Sequence, residues 1–144
     1  NYLTALRKIY EIMSDKGICV LHTIGSILPP QPNAPFIQRY IFPDGEIPHE
    51  SDMAKNIEKS GLIMSDRETL IRHYDKTLEA WLNRFLKNKH IVKDLFDQKF
   101  VKMWEFYLAS CSAAFKYRDL VVFQYQLVKN FDAIPSNRRD YIYS

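Results

Sequence analysis

Two side chains stand out as able to hold or move a proton, His22 and Tyr74. His22 lies near the end of an apolar run, Ile18-Cys19-Val20-Leu21-His22-Thr23-Ile24-Gly25. In an extended chain, residues two apart point the same way, so His22 and Ile24 share a face. Ligands of open α/β sheets gather beyond the carboxyl ends of the strands, where a histidine can act as a base, a proton shuttle or an anion ligand. The plainer alternative is a buried histidine bonded to a neighbouring loop. Tyr74 falls on an apolar helical stripe with Leu70 and Leu78, where core packing with a satisfied hydroxyl is the ordinary outcome. Cys19 and Cys111 sit in apolar surroundings and read as small hydrophobes of a reduced, cytosolic protein. With no CxxC and no histidine at ligand spacing, they predict neither a metal site nor a disulfide framework. His73 and His90 read as solvated. So do Lys87, Lys89 and Lys93, with a weak anionic-membrane contact as the functional alternative.

The glycines stand alone at 17, 25, 45 and 61, so no Gly-rich nucleotide cradle exists in the chain. No Ser-His-acid set and no paired carboxylates are visible at motif level. Aromatic residues make up 14% of the chain, which suits a core and equally a greasy pocket that stabilises a cation.

The elements that must position these groups follow from periodicity. Leu3, Leu6, Ile9, Tyr10 and Met13 predict a first helix, stopped at Gly17. The run from Ile18 to Gly25 predicts a strand covered on both faces in a parallel sheet. Residues 26–49 hold six of the seven prolines, which excludes a long helix but allows one turn from Pro35. The Phe36, Tyr40, Ile41 and Phe42 in this loop predict that it packs over something. Ser51 or Asp52 is expected to cap a short helix closed by Gly61, and Leu62–Ser65 to form a strand. A helix is expected from Glu68 to about Lys87, and a longer one from about Asp97 through Phe115. Leu120–Val128 predicts a last strand. After Asn130 the chain reads as a polar tail.

At 144 residues and 17.1 kDa, with 47% apolar and 26% charged residues, the chain has the composition of one ordinary globular domain. A net charge of +3 gives no argument for nucleic acid. No apolar run reaches the roughly 20 residues of a membrane span, and no signal peptide is visible. The element order implies the second half of a doubly wound, Rossmann-like α/β sheet, with extra helices inserted before its last strand. Three strands are thin for such a fold, and a helical pattern that already starts at Asn1 predicts that the first half of the sheet precedes residue 1.

Three strings carry a resemblance. They are Leu21-His22-Thr23-Ile24-Gly25, then Tyr40-Ile41-Phe42-Pro43-Asp44-Gly45-Glu46-Ile47-Pro48, then His73-Tyr74-Asp75-Lys76-Thr77-Leu78-Glu79-Ala80-Trp81. Met103-Trp104, Tyr107-Leu108, Ala113-Ala114-Phe115 and Val122-Phe123-Gln124-Tyr125-Gln126 continue it. Together they resemble the C-terminal half of the bacterial cyclopropane-fatty-acyl-phospholipid synthases, over nearly all of the chain up to about residue 129. The resemblance implies a class I methyltransferase fold using S-adenosylmethionine. It implies transfer of a methylene group to a cis double bond of a phospholipid acyl chain, with bound bicarbonate as the base. His22 and Tyr74 would be the catalytic residues, and His22, the Ile24 backbone and Tyr74 would hold the bicarbonate. The rest of that site, with most of the cofactor site, would lie upstream of residue 1. Residues 1–130 would then be the C-terminal part of one domain and 131–144 the tail.

The same resemblance implies a cytoplasmic protein, peripheral on the inner face of the membrane, with a homo-oligomer as one option. It also implies that this chain alone is inactive and binds S-adenosylmethionine poorly. Two alternatives remain open. One is a related methyltransferase making branched or methylene fatty acids, or methylating another small molecule. The other is a non-catalytic helical module that binds lipid or a partner.

Overall fold

Three strands carry the architecture: β1 (Ile18–Ser26), β2 (Ile63–Leu70) and β3 (Leu120–Val128). In the computed structural model, which describes residues 1–136 and 138–143, they pair in the order β1-β3-β2. The last strand in sequence is therefore the middle of the sheet. β3 runs antiparallel to both neighbours, with Ile24 opposite Val122 and Leu70 opposite Val122 from the other side. β1, expected as a strand of a parallel sheet, thus pairs antiparallel with β3 instead. The two-sided burial also moves from β1 to β3. Seven of nine residues in the run Leu120–Val128 are apolar or aromatic, and strand neighbours on both edges and helices on both faces bury most of them. β1 instead alternates, with Ile18, Val20, His22 and Ile24 on its open face.

One face of the sheet is sealed by α1 (Tyr2–Ile12) and α3 (Glu50–Ser60). Leu6 of α1 and Met53 and Ile57 of α3 pack on Phe123, Tyr125 and Leu127. Asn1 caps α1, its side chain accepting the Leu3 N–H at 3.0 Å. α3 is capped by neither Ser51 nor Asp52. His49 does it, its Nδ1 accepting the Ser51 N–H at 3.2 Å. Gly61 closes α3 with φ 85, a left-handed position that costs a side-chain-bearing residue about 1 kcal/mol or more.

The other face carries α4 (His73–Lys87), α5 (Lys89–Leu95) and α6 (Gln98–Tyr117). Leu78, Leu108 and Phe115 pack there on Val122. α4 starts at His73, five residues later than the apolar periodicity suggested, because Glu68, Thr69 and Leu70 are drawn into β2 by pairing with Gln124, Phe123 and Val122 of β3. Arg72, at φ 61, then turns the chain from strand to helix. α6 begins where expected, with the Asp97 carboxylate accepting the Phe100 N–H at 2.6 Å.

The segment after Asn130 is not a free tail. Ala133 is buried, Arg139 forms two hydrogen bonds to the Asp66 carboxylate at 2.7 and 2.9 Å, and Gln126 donates to the Tyr141 hydroxyl at 2.8 Å. It folds back over the ends of β2 and β3. Among the described residues no helix is long and apolar enough to cross a membrane.

Candidate functional site

A cleft of about 780 Å³ opens where β1 ends against α4 and α6. His22 and Ile24 enter it from β1, Tyr74, Leu78 and Trp81 from α4, and Tyr107, Cys111 and Phe115 from α6. The three residues singled out in the sequence, His22, Ile24 and Tyr74, thus line one cavity although 50 residues separate Ile24 from Tyr74. His22 is exposed within it, not a buried core histidine. Tyr74 satisfies both of its readings. Its ring packs on Phe115 (centroids 5.0 Å apart) and edge-on to Trp81 (6.1 Å), while its side chain still borders the cleft.

The end of β1 is held from both sides. Ser26 donates its hydroxyl to the Asp119 carboxylate at 2.6 Å and its N–H to the Pro48 carbonyl at 3.0 Å. Since Ser26 N–H turns away from β3, the alternation of an antiparallel ladder turns the Ile24 N–H away as well, toward the unpaired edge. That leaves a backbone donor beside the His22 imidazole. Gly25, between them in register, cannot carry a side chain. A Cβ there would stand 2.3 Å from the Phe123 ring.

The proline-rich loop roofs the cleft, as its apolar residues predicted. α2 (Pro35–Tyr40) takes Pro35 at its first position, and Ile37 and Phe42 line the cavity. Phe36 stands edge-on to Phe106 at 4.8 Å and Phe42 edge-on to Tyr107 at 6.4 Å. The loop is closed on itself by Asn33, which donates to the Gly45 carbonyl at 2.6 Å. Tyr2 ties it to α1 by donating to the Glu46 carbonyl at 3.1 Å.

Tyr107 and Cys111, the latter expected from the sequence to be a small buried hydrophobe, form a second pair in the cleft. They stand one turn apart on α6, and both line it. Burial, the neighbouring Cys111 and Tyr74 together push the Tyr107 hydroxyl up to about 12. Burial also raises the Cys111 thiol, partly offset by the neighbouring Tyr107 hydroxyl, so it stays protonated and is no nucleophile at neutral pH. The spacing of a tyrosine and a cysteine at i and i+4 was the available signal. The apolar stripe around them hid it.

Aromatic walls, the His22 and His49 side chains and the outward Ile24 N–H thus meet around one cleft. Residues 1–125 match the family model described as mycolic acid cyclopropane synthetase. The chain belongs to that family. The cyclopropane-fatty-acyl-phospholipid synthase of Escherichia coli (strain K12) is 35% identical over 124 residues, covering 86% of this chain and 32% of that protein. A probable fatty acid methyltransferase of Pseudomonas putida is 41% identical over 81 residues, 56% of this chain and 21% of its own. The crystal structure of a mycolic acid cyclopropane synthase, CmaA1, complexed with SAH and CTAB, superposes with a TM-score of 0.80 at 24% identity, over 88% of this chain and 49% of that one. At that identity the likeness fixes the fold, a Rossmann-like α/β methyltransferase architecture. The chain spans about a third of the length of the E. coli synthase and about half of the solved one.

Proposed function

We propose that this chain supplies the lipid- and anion-binding part of an S-adenosylmethionine-dependent enzyme that cyclopropanates cis-unsaturated acyl chains of membrane phospholipids. Residues 1–130 would form the C-terminal part of its methyltransferase-like domain. S-adenosylmethionine supplies a methyl group on a sulfonium. The C–S bond breaks as the alkene's π pair forms the new C–C bond, and loss of a proton from that methyl to a base closes the ring.

An alkene is a weak nucleophile, so it must be held in line and kept from water that would quench the cation. The apolar walls of Leu78, Trp81 and Phe115 suit both tasks, and the Tyr74, Trp81 and Tyr107 rings suit a neighbouring cation. The His22 imidazole, the Ile24 N–H and the Tyr74 hydroxyl are three donors of the kind that a small oxyanion requires. Bicarbonate held there would supply the base, and His22 and Tyr74 would fix its position. The observation that carries this reading is the convergence of these three residues on one apolar cleft.

The test is turnover of a cis-unsaturated phospholipid by the full-length protein. His22→Ala and Tyr74→Phe are each expected to lose about 10²-fold or more, the usual cost of misplacing a reacting group, with the urea midpoint nearly unchanged. Normal turnover in both variants would overturn the site. The similarity to a fatty acid methyltransferase favours one second reading, in which the product is a branched or methylene acid. A one-carbon product that retains its double bond would decide for it.

A further inference from the structure

The chain's positive charge is not spread evenly. Residues 84–102 carry six cationic side chains, Arg84, Lys87, Lys89, Lys93, Lys99 and Lys102, against two carboxylates, Asp94 and Asp97. Twenty basic and 17 acidic residues in the whole chain then leave the remainder slightly acidic. Asp97 is occupied as the cap of α6, and Lys89 is paired with Glu105 at 2.6 Å. Among the described residues the other five cations have no carboxylate partner.

The same stretch exposes large apolar groups. Leu95 is 71% accessible, Phe96 62%, Ile91 48% and Leu86 39%. α5 lies with Val92 half-buried, which leaves Ile91 and Leu95, one turn apart, on a flank turned to solvent. Phe96 is not a loose side chain at the end of this flank. It stacks on Phe100 at 4.3 Å, Phe100 stacks on Trp104 at 5.9 Å, and Trp104 meets Tyr107 at 5.0 Å. This ladder of rings begins at the surface and ends on a wall of the cleft.

We infer that α5 and its flanks, from Arg84 to Lys102, form the surface by which the protein docks on an anionic phospholipid bilayer. Ile91, Leu95 and Phe96 enter the headgroup–acyl boundary while the five unpaired cations meet lipid phosphates, and the ring ladder gives an acyl chain an apolar track toward Tyr107. Unpaired cations around a solvent-facing apolar flank complement the surface of such a bilayer, where long lysine stems can bury and still present their charge. The inference deepens the proposed reaction by naming the face that meets its substrate, and rests on that reading for the substrate alone.

The test is co-sedimentation of the full-length protein with vesicles of dimyristoyl phosphatidylglycerol or dimyristoyl phosphatidylcholine. Saturated chains hold no double bond, so docking is read apart from group transfer. Binding is expected on the anionic vesicles at low ionic strength, at least tenfold weaker on the neutral ones, and weakened by salt. Each lysine lost near an anionic surface costs about fivefold, so Lys87→Glu with Lys93→Glu and Lys99→Glu should abolish binding. Leu95→Ser with Phe96→Ser should lower it about tenfold or more, on the usual transfer cost of apolar groups.

Equal binding to both vesicles, no binding, or retained binding by the charge-reversed protein would overturn the inference. So would a dimer, lacking vesicle binding, that the Leu95→Ser, Phe96→Ser variant dissolves, since a second copy would then own the face. Turnover of detergent-dispersed substrate without vesicle docking would sink this surface and leave the proposed reaction standing. Docking with no turnover of unsaturated lipid would do the reverse.

Discussion

The two faces of the sheet are built on the same strand and differ in what they leave empty. Val121, Phe123, Tyr125 and Leu127 of β3 point to the face covered by α1 and α3, where Leu6, Ile57 and Leu127 are nearly or wholly inaccessible. Leu120, Val122, Gln124 and Gln126 point to the face covered by α4 and α6. That second face has a small sealed core of Leu78, Leu108, Phe115 and Val122, and then gives way to half-buried rings around the cleft. On the first face the Phe123 and Tyr125 rings are packed in by Leu6, Ile57, Leu62 and Leu127 at the density usual of protein interiors. Aromatic plates from α4, α6 and the loop meet edge-on and leave a hollow between them. One face therefore holds the protein together, and the other holds the space in which its chemistry is proposed.

The strongest way to break that comparison is to truncate one large ring on each face. Phe123→Ala, at a fully inaccessible position, is expected to cost about 3–5 kcal/mol. Trp81→Ala removes a bigger ring from the rim of the cleft, where 42% of the residue already meets solvent. It should cost about 1 kcal/mol, since little new cavity forms. Urea unfolding of both variants gives the ratio. Equal losses would mean that the cleft wall is as much a structural core as the α1/α3 side.

How much of this was legible before the fold was known follows the same division. The period of the first helix, the start of the long helix near Asp97, the Gly61 stop and the β-branched run of β3 are local signals, and each appears where the sequence placed it. Placing His22 and Ile24 on one face needed only the two-residue period of a strand. The extent of β2 was not legible, because Ser65-Asp66-Arg67-Glu68 has no apolar alternation. Its extended form is imposed from outside, by β3 and by pairs such as Arg67–Glu50 and Arg139–Asp66. Tyr107 and Cys111 were hidden for a related reason. A helical stripe tells which side of α6 is apolar, but not which part of that side meets a neighbour and which part meets a void.

A smaller effect separates the faces through alkaline titration. Burial raises the hydroxyl of Tyr107 on the cleft side to about 12, and raises that of Tyr125 on the sealed side, where Arg67 pulls it back. An unfolded tyrosine loses its proton near 10. Below that value both states are protonated and the stabilisation is fully present. As pH rises from about 10 toward about 12, the unfolded state binds fewer protons than the folded one, so stability falls. Unfolding midpoints measured across this window should decline for the wild type. They should decline less for Tyr107→Phe than for Tyr125→Phe, because the larger upward shift belongs to the cleft. The opposite ranking would place the more costly buried phenol on the sealed face.

The weakest link tested belongs to neither face's core. Arg139 reaches Asp66 through two parallel hydrogen bonds, and so lays the chain after Asn130 over the end of the second face, beyond the reach of α4 and α6. Its guanidinium side is 51% exposed while Asp66 is only 16% exposed. The solvated arginine limits the Coulomb gain, and the shielded carboxylate raises the cost of losing its partner. Arg139→Ala is therefore expected to cost little, as exposed surface pairs do. Salt should erode the difference between variant and wild type. Asp66→Asn keeps the β2 position polar and should cost less, since it removes the shielded charge together with the bond. If Arg139→Ala approached the loss of Phe123→Ala, the folded-back segment would count as part of the sealed structure. A loss far below that of Phe123→Ala instead makes it a strap over a face whose stability resides in Leu78, Leu108, Phe115 and Val122.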